Sequence, residues 1–319
     1  MSITIHDIAK LADLNSSTVS RALRNDSRVR ESTRERIRKI AREHGYVPNL
    51  NARNLADGRT HRIAFLMNTL YSGIEIEPAT EANRLLSEQG YSLMLLLCSG
   101  SKEIFKTHLD HLAQKLCDAA LIIPGFGEND KDILEKMKVL QCPVVFIDRW
   151  SENTGYPAVT TDQANAMKRL FECAASENMD SAFIDMTTGN SASRNRFYAI
   201  REELERHRVP FITSLEQMPA FLEGGRRKNF CVFSNGIRPG SFYHDLFTGG
   251  AAKRPVKFFT CGFDCIGPDI TAYYDKTYLC IQDFKEIARV SSEMVLNLLG
   301  GSELQERIVK VPPLDVISC

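Results

Sequence analysis

Apolar positions between residues 4 and 46 recur at helical spacing in three short runs. Ile8, Ala9 and Ala12 share one face of a helix that Thr4 can cap and that starts at Ile5. Asn15 is placed to cap a second helix over about 16–24, with Val19, Ala22 and Leu23 inward. Its remaining faces carry Ser16, Ser17, Ser20 and Arg21, free to meet a partner. Ile37, Ile40 and Ala41 give a third helix over about 31–44 its buried stripe, and Gly45 stands where a helix ends. Two short helices joined by a tight turn, the second opening on small polar residues, form the pattern of a helix-turn-helix.

Pro48 stops the third helix, and residues 49–57 suffice for about two further turns, too few for a helix stable alone in water. From Arg62 the pattern changes. Continuous apolar runs at 63–67, 92–97, 119–123 and 144–147 alternate with helical stretches, the mark of buried parallel strands with helices on both faces. The alternation restarts with helices at 163–177 and 193–207 and strands at 181–185, 230–233 and 257–261, which predicts two lobes with a cleft between them.

Charge sharpens this division. The 319-residue chain is neutral overall, yet residues 1–62 hold 13 Lys and Arg against 7 Asp and Glu, while the remainder holds 27 against 33. A basic arm on an acidic body points to an arm that meets a polyanion. The nine cysteines are scattered, with no C-x-x-C pair, so reduced thiols are expected rather than a metal site or a disulfide framework. Nothing in the apolar pattern is long enough to span a bilayer, and the first residues lack a leader pattern, so a cytoplasmic protein is expected. Catalytic signatures are missing. Gly125-Phe126-Gly127 is too short for a dinucleotide loop, no G-x-S-x-G or HExxH occurs, and Ser191 and Ser193 have no paired base in view.

The string Thr4-Ile5-His6-Asp7-Ile8-Ala9-Lys10-Leu11-Ala12, then Ser16-Ser17-Thr18-Val19-Ser20-Arg21-Ala22-Leu23, Thr33-Arg34-Glu35-Arg36-Ile37 and Gly45-Tyr46-Val47-Pro48-Asn49 resembles the lactose-repressor (LacI/GalR) family. The resemblance implies an all-α helix-turn-helix headpiece (1–46), a hinge helix or linker (47–60) and an α/β two-lobe, periplasmic-binding-protein-like sensor (61–319) that also dimerises. Lobe 1 is expected over 61–160 and 282–308, and lobe 2 over 161–281 and 309–319. It further implies a DNA-binding regulator, usually a repressor, acting as a homodimer or tetramer on a pseudo-palindromic operator. Its effector is expected to be a small molecule of carbohydrate type, with no cofactor and no metal.

By the same resemblance Ser16, Ser17 and Arg21 face base edges, and Thr18 and Ser20 hold phosphates. Thr4, Asn25 and Asn49 are further DNA contacts, Ala52 approaches the minor groove, and Leu55 wedges between base pairs. Where the family carries a Ser or Thr cap on the third helix this chain has Arg30. Either Ser32 caps a later start or that end is weaker.

In open parallel sheets ligands bind beyond the carboxyl ends of the strands. Asn68, Tyr71, Asp148, Arg196, Asn235, Asp264 and Gln282 occupy such positions and are the candidate effector contacts, Arg196 and Asp264 foremost. Glu75 is the alternative to Tyr71 on the first loop. Two rival classes remain: a transport-type binding protein, which needs a leader and no headpiece, and a DNA binder with a degenerate, ligand-independent pocket.

Overall fold

The computed structural model describes residues 3–48, 54, 58–70, 73–126, 130–223, 228–236, 242–243, 254–263 and 274–318. The chain divides into two units, 1–60 and 61–319.

In the first unit the three expected helices form over Ile5–Ala12 (α1), Ser16–Leu23 (α2) and Glu31–Glu43 (α3). Their apolar stripes meet in one core of Ile8, Ala9, Ala12, Val19, Ala22, Val29 and Ile37, with Tyr46 packed against it. Each end is explained by local chemistry. Thr4 and Asp7 form a reciprocal capping box on α1. Asn15 caps α2 by accepting from the Thr18 amide. After α3, Gly45 takes φ +62, and the amides of Gly45 and Tyr46 return to the Arg42 and Ala41 carbonyls. This is the left-handed closure that glycine permits. The α3 start is the weaker end: the helix begins at Glu31, and Arg30 makes no side-chain cap. Arg36 of α3 donates to the Ala12 carbonyl at 3.1 Å and ties α3 to the end of α1.

Among its described residues the second unit contains two six-stranded sheets. The first runs β11-β5-β4-β3-β1-β2, all parallel. Its strands are Arg62–Met67 (β1), Ser92–Leu97 (β2), Ala119–Ile122 (β3), Val144–Ile147 (β4), Ala158–Thr161 (β5) and Ile308–Val311 (β11). Alternate residues of β1 serve opposite faces, as strand geometry requires. Ile63, Phe65 and Met67 pack on Gly73–Glu88 (α4) and Phe284–Leu299 (α10), whereas Ala64 and Leu66 pack on Lys102–Ala113 (α5) and Lys131–Lys138 (α6).

The second sheet runs β12-β10-β9-β8-β6-β7. Its strands are Ser181–Asp185 (β6), Phe211–Ile212 (β7), Asn229–Ser234 (β8), Lys257–Phe263 (β9), Lys276–Ile281 (β10) and Asp315–Ser318 (β12), with only the β10–β12 pair antiparallel. Gln163–Ser176 (α7) and Ser191–Arg206 (α8) cover one face; Met218–Glu223 (α9) and Tyr243 cover the other.

Among the described residues three segments pass between the sheets: at Asp162, at 282–283 and at 312–314. The last differs from the expected boundary at 308/309. Val309–Val311 pair with Val159–Thr161 inside the first sheet, and the chain crosses only afterwards. Thr161, expected to open the second lobe, likewise ends a first-sheet strand. Arg169 on α7 holds this third crossing, donating to the Pro313 carbonyl at 3.2 Å and to Asp315 at 2.9 Å.

Candidate DNA interface and effector cleft

On α2 the buried residues Val19 and Ala22 define the inner face. At 100° per residue, Ser17, Ser20 and Arg21 fall on the opposite side, with Ser16 at its edge. Arg21 is exposed, and its charge acts on Asp26 just beyond the helix. Its guanidinium is available for bidentate recognition.

The hydroxyls around it are less free. Asn15 Oδ1 accepts from Ser17 Oγ at 2.7 Å, Thr18 Oγ1 at 2.8 Å and the Thr18 amide at 2.9 Å. Ser17 and Thr18 therefore turn their protons inward and offer outward only lone pairs. Ser16 Oγ lies 2.9 Å from His6 Nδ1, a bridge from α1 to α2 that sequence pattern did not single out. Thr4 shares its hydroxyl with the cap, donating to Asp7 at 2.7 Å. That hydroxyl, then the Thr4 amide, holds the Asp7 carboxyl below its usual range. Ser20 is half-buried on the same helix.

Asn25 sits just beyond α2 with φ +61, a backbone state that asparagine tolerates well. Two arginines of α3 bracket it: Arg34 donates to its carbonyl at 3.0 Å, and Arg38 donates to its side-chain oxygen. The adjoining turn is fixed by a fork between Arg28 and Asp26, which holds the Asp26 carboxyl far below the normal range. Part of the basic coat on α3 thus shapes the end of α2. Asn49, Ala52 and Leu55 lie outside the described residues.

In the second unit the candidate contacts gather at strand carboxyl ends. Asn68 follows β1; its Oδ1 accepts from the Gly100 amide at 2.7 Å and joins the loops after β1 and β2. Glu75 is buried, and its carboxylate collects the amides of Asn68 and Thr69 and the Thr69 hydroxyl. It braces the first loop. Burial, with the Glu75 charge second, pushes the neighbouring Cys98 thiol up to about 12. Tyr71 and Asp264 lie outside the described residues.

Asp148 follows β4 in the left-handed region at φ +64 and is 2% exposed. Its carbonyl accepts from Thr160 Oγ1 at 2.7 Å, and Oδ2 lies 3.3 Å from Arg149 Nε. A left-handed non-glycine at a buried site is backbone strain of the kind found at functional positions.

Arg196 is buried at the start of α8. It donates from Nε to Gln163 Oε1 at 2.7 Å and from Nη2 to Gln282 Oε1 at 3.0 Å. Gln282 Oε1 also accepts from Thr161 Oγ1 at 2.7 Å, and the guanidinium carbon stands 3.5 Å from the Phe263 ring centre. Arg196 and Gln282 are therefore brought together, but around two of the three crossings. A second bridge runs from the Trp150 amide to Ser191 Oγ at 2.9 Å. Sequence pattern missed Gln163, Trp150 and Thr161, because the four-residue strand β5 that places two of them carried no period of its own.

Five buried polar atoms in this region have no hydrogen-bond partner among the described residues: Asp148 Oδ1, Trp150 Nε1, Gln163 Nε2, Ser234 Oγ and Asn235 Oδ1. They lie at or just beyond the ends of β4 and β8 and at the first residue of α7.

A family model described as bacterial regulatory proteins, lacI family, matches residues 4–49, and one described as periplasmic binding proteins and sugar binding domain of LacI family matches 77–211. The chain belongs to the LacI family of bacterial regulatory proteins. Among curated members it is 28% identical to the HTH-type transcriptional regulator AscG of Escherichia coli over 279 residues, 82% of each chain. It is also 28% identical to the sucrose operon repressor of Klebsiella pneumoniae over 206 residues, 63% of this chain and 61% of that one. In fold it resembles the lac repressor dimer bound to operator and the anti-inducer ONPF (TM-score 0.76, 18% identity, 99% of this chain and 98% of that one). It also resembles the regulator CelR in complex with cellobiose (TM-score 0.63, 17% identity, 99% and 98%).

Family membership makes this chain a DNA-binding transcriptional regulator and not an enzyme. The helix-turn-helix unit and the two-lobe body are the family's two parts in their usual order. Among the described residues no helix is long and apolar enough to cross a membrane, and no group of His, Cys, Asp and Glu is placed to hold a metal.

Proposed function

We propose that this regulator is a repressor that acts as a homodimer or tetramer on a pseudo-palindromic operator, and that a small hydroxylated molecule, a carbohydrate or its derivative, controls it from the cleft between the lobes. Ser16, Ser17 and Arg21 read bases, while Thr4, Thr18, Ser20, Asn25 and Asn49 set register on phosphates. The 49–57 segment, with Ala52 small and Leu55 as wedge, is the hinge that forms on DNA.

The observation that carries the effector assignment is the set of five buried polar atoms near the strand ends that have no partner among the described residues. Buried polar groups in native proteins nearly always have partners. A ligand rich in hydroxyls, each able to donate and accept, satisfies such a mixed set of donors and acceptors. A ligand that prefers one arrangement of the lobes shifts the protein toward it by its difference in affinity, and no other force is required.

A second reading is favoured by Arg196, whose Nε and Nη2 bond within the protein, and by Asn68, whose Oδ1 does. It is a regulator that needs no effector. A thermal-shift screen of mono- and disaccharides, sugar phosphates and nucleobases separates the two. Stabilisation by a sugar in wild type, lost in Asp148→Ala and Asn235→Ala, supports the first reading. No stabilisation by any compound supports the second.

A further inference from the structure

Asn25 stands just past α2 in the left-handed region, and its backbone amide donates to the Ala22 carbonyl at 3.1 Å. Two arginines of α3 take its acceptors. Arg34 Nη1 donates to the backbone carbonyl at 3.0 Å, and Arg38 Nη2 donates to the side-chain Oδ1. Glu31, one and two turns back on the same helix, orders both arginines. One of its carboxylate oxygens takes Arg34 Nη2, and the other lies 3.4 Å from Arg38 Nη1.

A guanidinium can only donate. The atom of the Asn25 carboxamide that meets Arg38 is therefore its oxygen, and the orientation of the amide is fixed. The backbone amide, the backbone carbonyl and Oδ1 of this residue are all engaged. What remains is Nδ2, with two protons and no partner among the described residues, on an exposed side chain. A group that offers donors alone suits a ligand that offers acceptors alone. Phosphate oxygens are such a ligand, whereas the major-groove edge of each base pair mixes donors and acceptors.

We propose that Arg38 is a positioning residue for DNA binding: by holding Oδ1 of Asn25 it leaves both Nδ2 protons to one backbone phosphate of each half-site. The proposal rests on the reading that Asn25 meets DNA. Arg38 acts through the carboxamide and not on the phosphate, because its guanidinium is shared between Oδ1 and the Glu31 carboxylate. The charge it brings also polarises the amide, which strengthens the N–H donors on the far side. Without Arg38 the carboxamide turns about its last torsion, and the flipped state sets a carbonyl oxygen against the phosphate. Arg34 has a separate task, since its bond to the backbone carbonyl holds the left-handed turn and leaves the side chain to Arg38.

The test is a double-mutant cycle on the full-length chain, with Asn25→Ala, Arg38→Ala and the two combined. Binding is measured over a salt series on the duplex that wild type selects from a random pool and on a mixed-sequence duplex of the same length. Thermal melting shows that each variant is folded. Asn25→Ala is expected to weaken binding about 3- to 30-fold on both duplexes, the equivalent of one hydrogen bond to a charged group that is blind to sequence. Arg38→Ala is expected to cost no more than that. The double variant is expected to bind as Asn25→Ala does, so that the two losses do not add. The salt slope of Arg38→Ala is expected to fall by well under the value of about one that a direct phosphate contact carries. Losses that add, or a slope lowered by about one for each half-site, overturn the proposal, the first pointing to plain support of α3 and the second to Arg38 on the phosphate itself. If Asn25→Ala leaves both affinities unchanged, the reading that Asn25 meets DNA has failed and the proposal fails with it. If Asn25→Ala weakens binding and Arg38→Ala does not, the reading stands and the positioning role is refuted.

Discussion

Nη2 of Arg196 donates to Oε1 of Gln282 across 3.0 Å, and this bond joins the second lobe's first long helix after β6 to the segment just past β10 where the chain returns to the first lobe. With Gln163 and Thr161 drawn into the same cluster, the arginine holds two crossings at once. Arg196→Ala leaves the buried Gln163 side-chain oxygen without this donor, whereas Gln282 Oε1 keeps the Thr161 hydroxyl; one such orphaned acceptor is worth about 1–3 kcal/mol. Loss of about 1–3 kcal/mol in urea unfolding is expected from that acceptor, with no rescue by Arg196→Lys, because an ammonium has no planar fork to span two glutamines. An effect under about 0.5 kcal/mol, within the range of an ordinary surface change, would show that the cluster is not a structural clamp.

Arg169 holds the third crossing, and there the pair is open to water on both sides. Exposed pairs contribute about 0–1 kcal/mol. Arg169→Ala is therefore expected to change unfolding free energy little while raising amide hydrogen exchange around 312–316. Unchanged exchange there would mean that Arg169 does not restrain the crossing.

Acid should loosen the second lobe first at Glu177. The Lys276 ammonium, then the Tyr278 hydroxyl, holds its carboxyl below the usual range. A depressed folded-state value means that the stabilisation is complete above the unfolded value of about 4.3 and is lost as pH falls through the lower, folded value. Glu177→Gln is expected to flatten the acid limb of a stability-against-pH curve without altering its neutral plateau in slope. An acid limb identical to wild type would contradict the assignment.

Thiol chemistry gives a further check. Burial pushes Cys98 and Cys117 up to about 12. The thiolate is the reactive form, so both should resist alkylation at about pH 8, close to the value for a free thiol, until the chain unfolds. Rapid labelling of either in the folded protein, read by peptide mass mapping, would refute this burial.

The first unit was legible because its information is local. The Ile8, Ala9 and Ala12 stripe, the Asn15 cap and Gly45 each signal through neighbours in sequence. The lobes were legible where strands are long apolar runs, as at β1. The boundary at Val309–Val311 was not, because its pairing with β5 joins residues far apart in sequence, which no local pattern encodes. The same limit applies to the site. Strand-end offsets offered Asp148, Asn235 and Gln282 as candidates, but could not show that Arg196 donates to Gln163 and Gln282. Nor could spacing show that His6 reaches Ser16 across the turn.

The hinge has its own expected outcome. Leu55→Ala should weaken specific binding and reduce DNA bending together, since the kink that unstacks a base step also wraps the duplex onto more of the protein surface. Unchanged affinity and bending in a circular-permutation gel assay would remove Leu55 from the interface.

The central claim, that α2 reads sequence through Arg21, is tested most directly by comparing specific and non-specific binding of wild type and Arg21→Ala on the operator selected from a random duplex pool. Expected is a pseudo-palindromic site on which Arg21→Ala loses about 1–3 kcal/mol of discrimination at one symmetric pair of positions, while salt-dependent non-specific binding persists. Selection of no site above background, or full retention of base preference by Arg21→Ala, would contradict it.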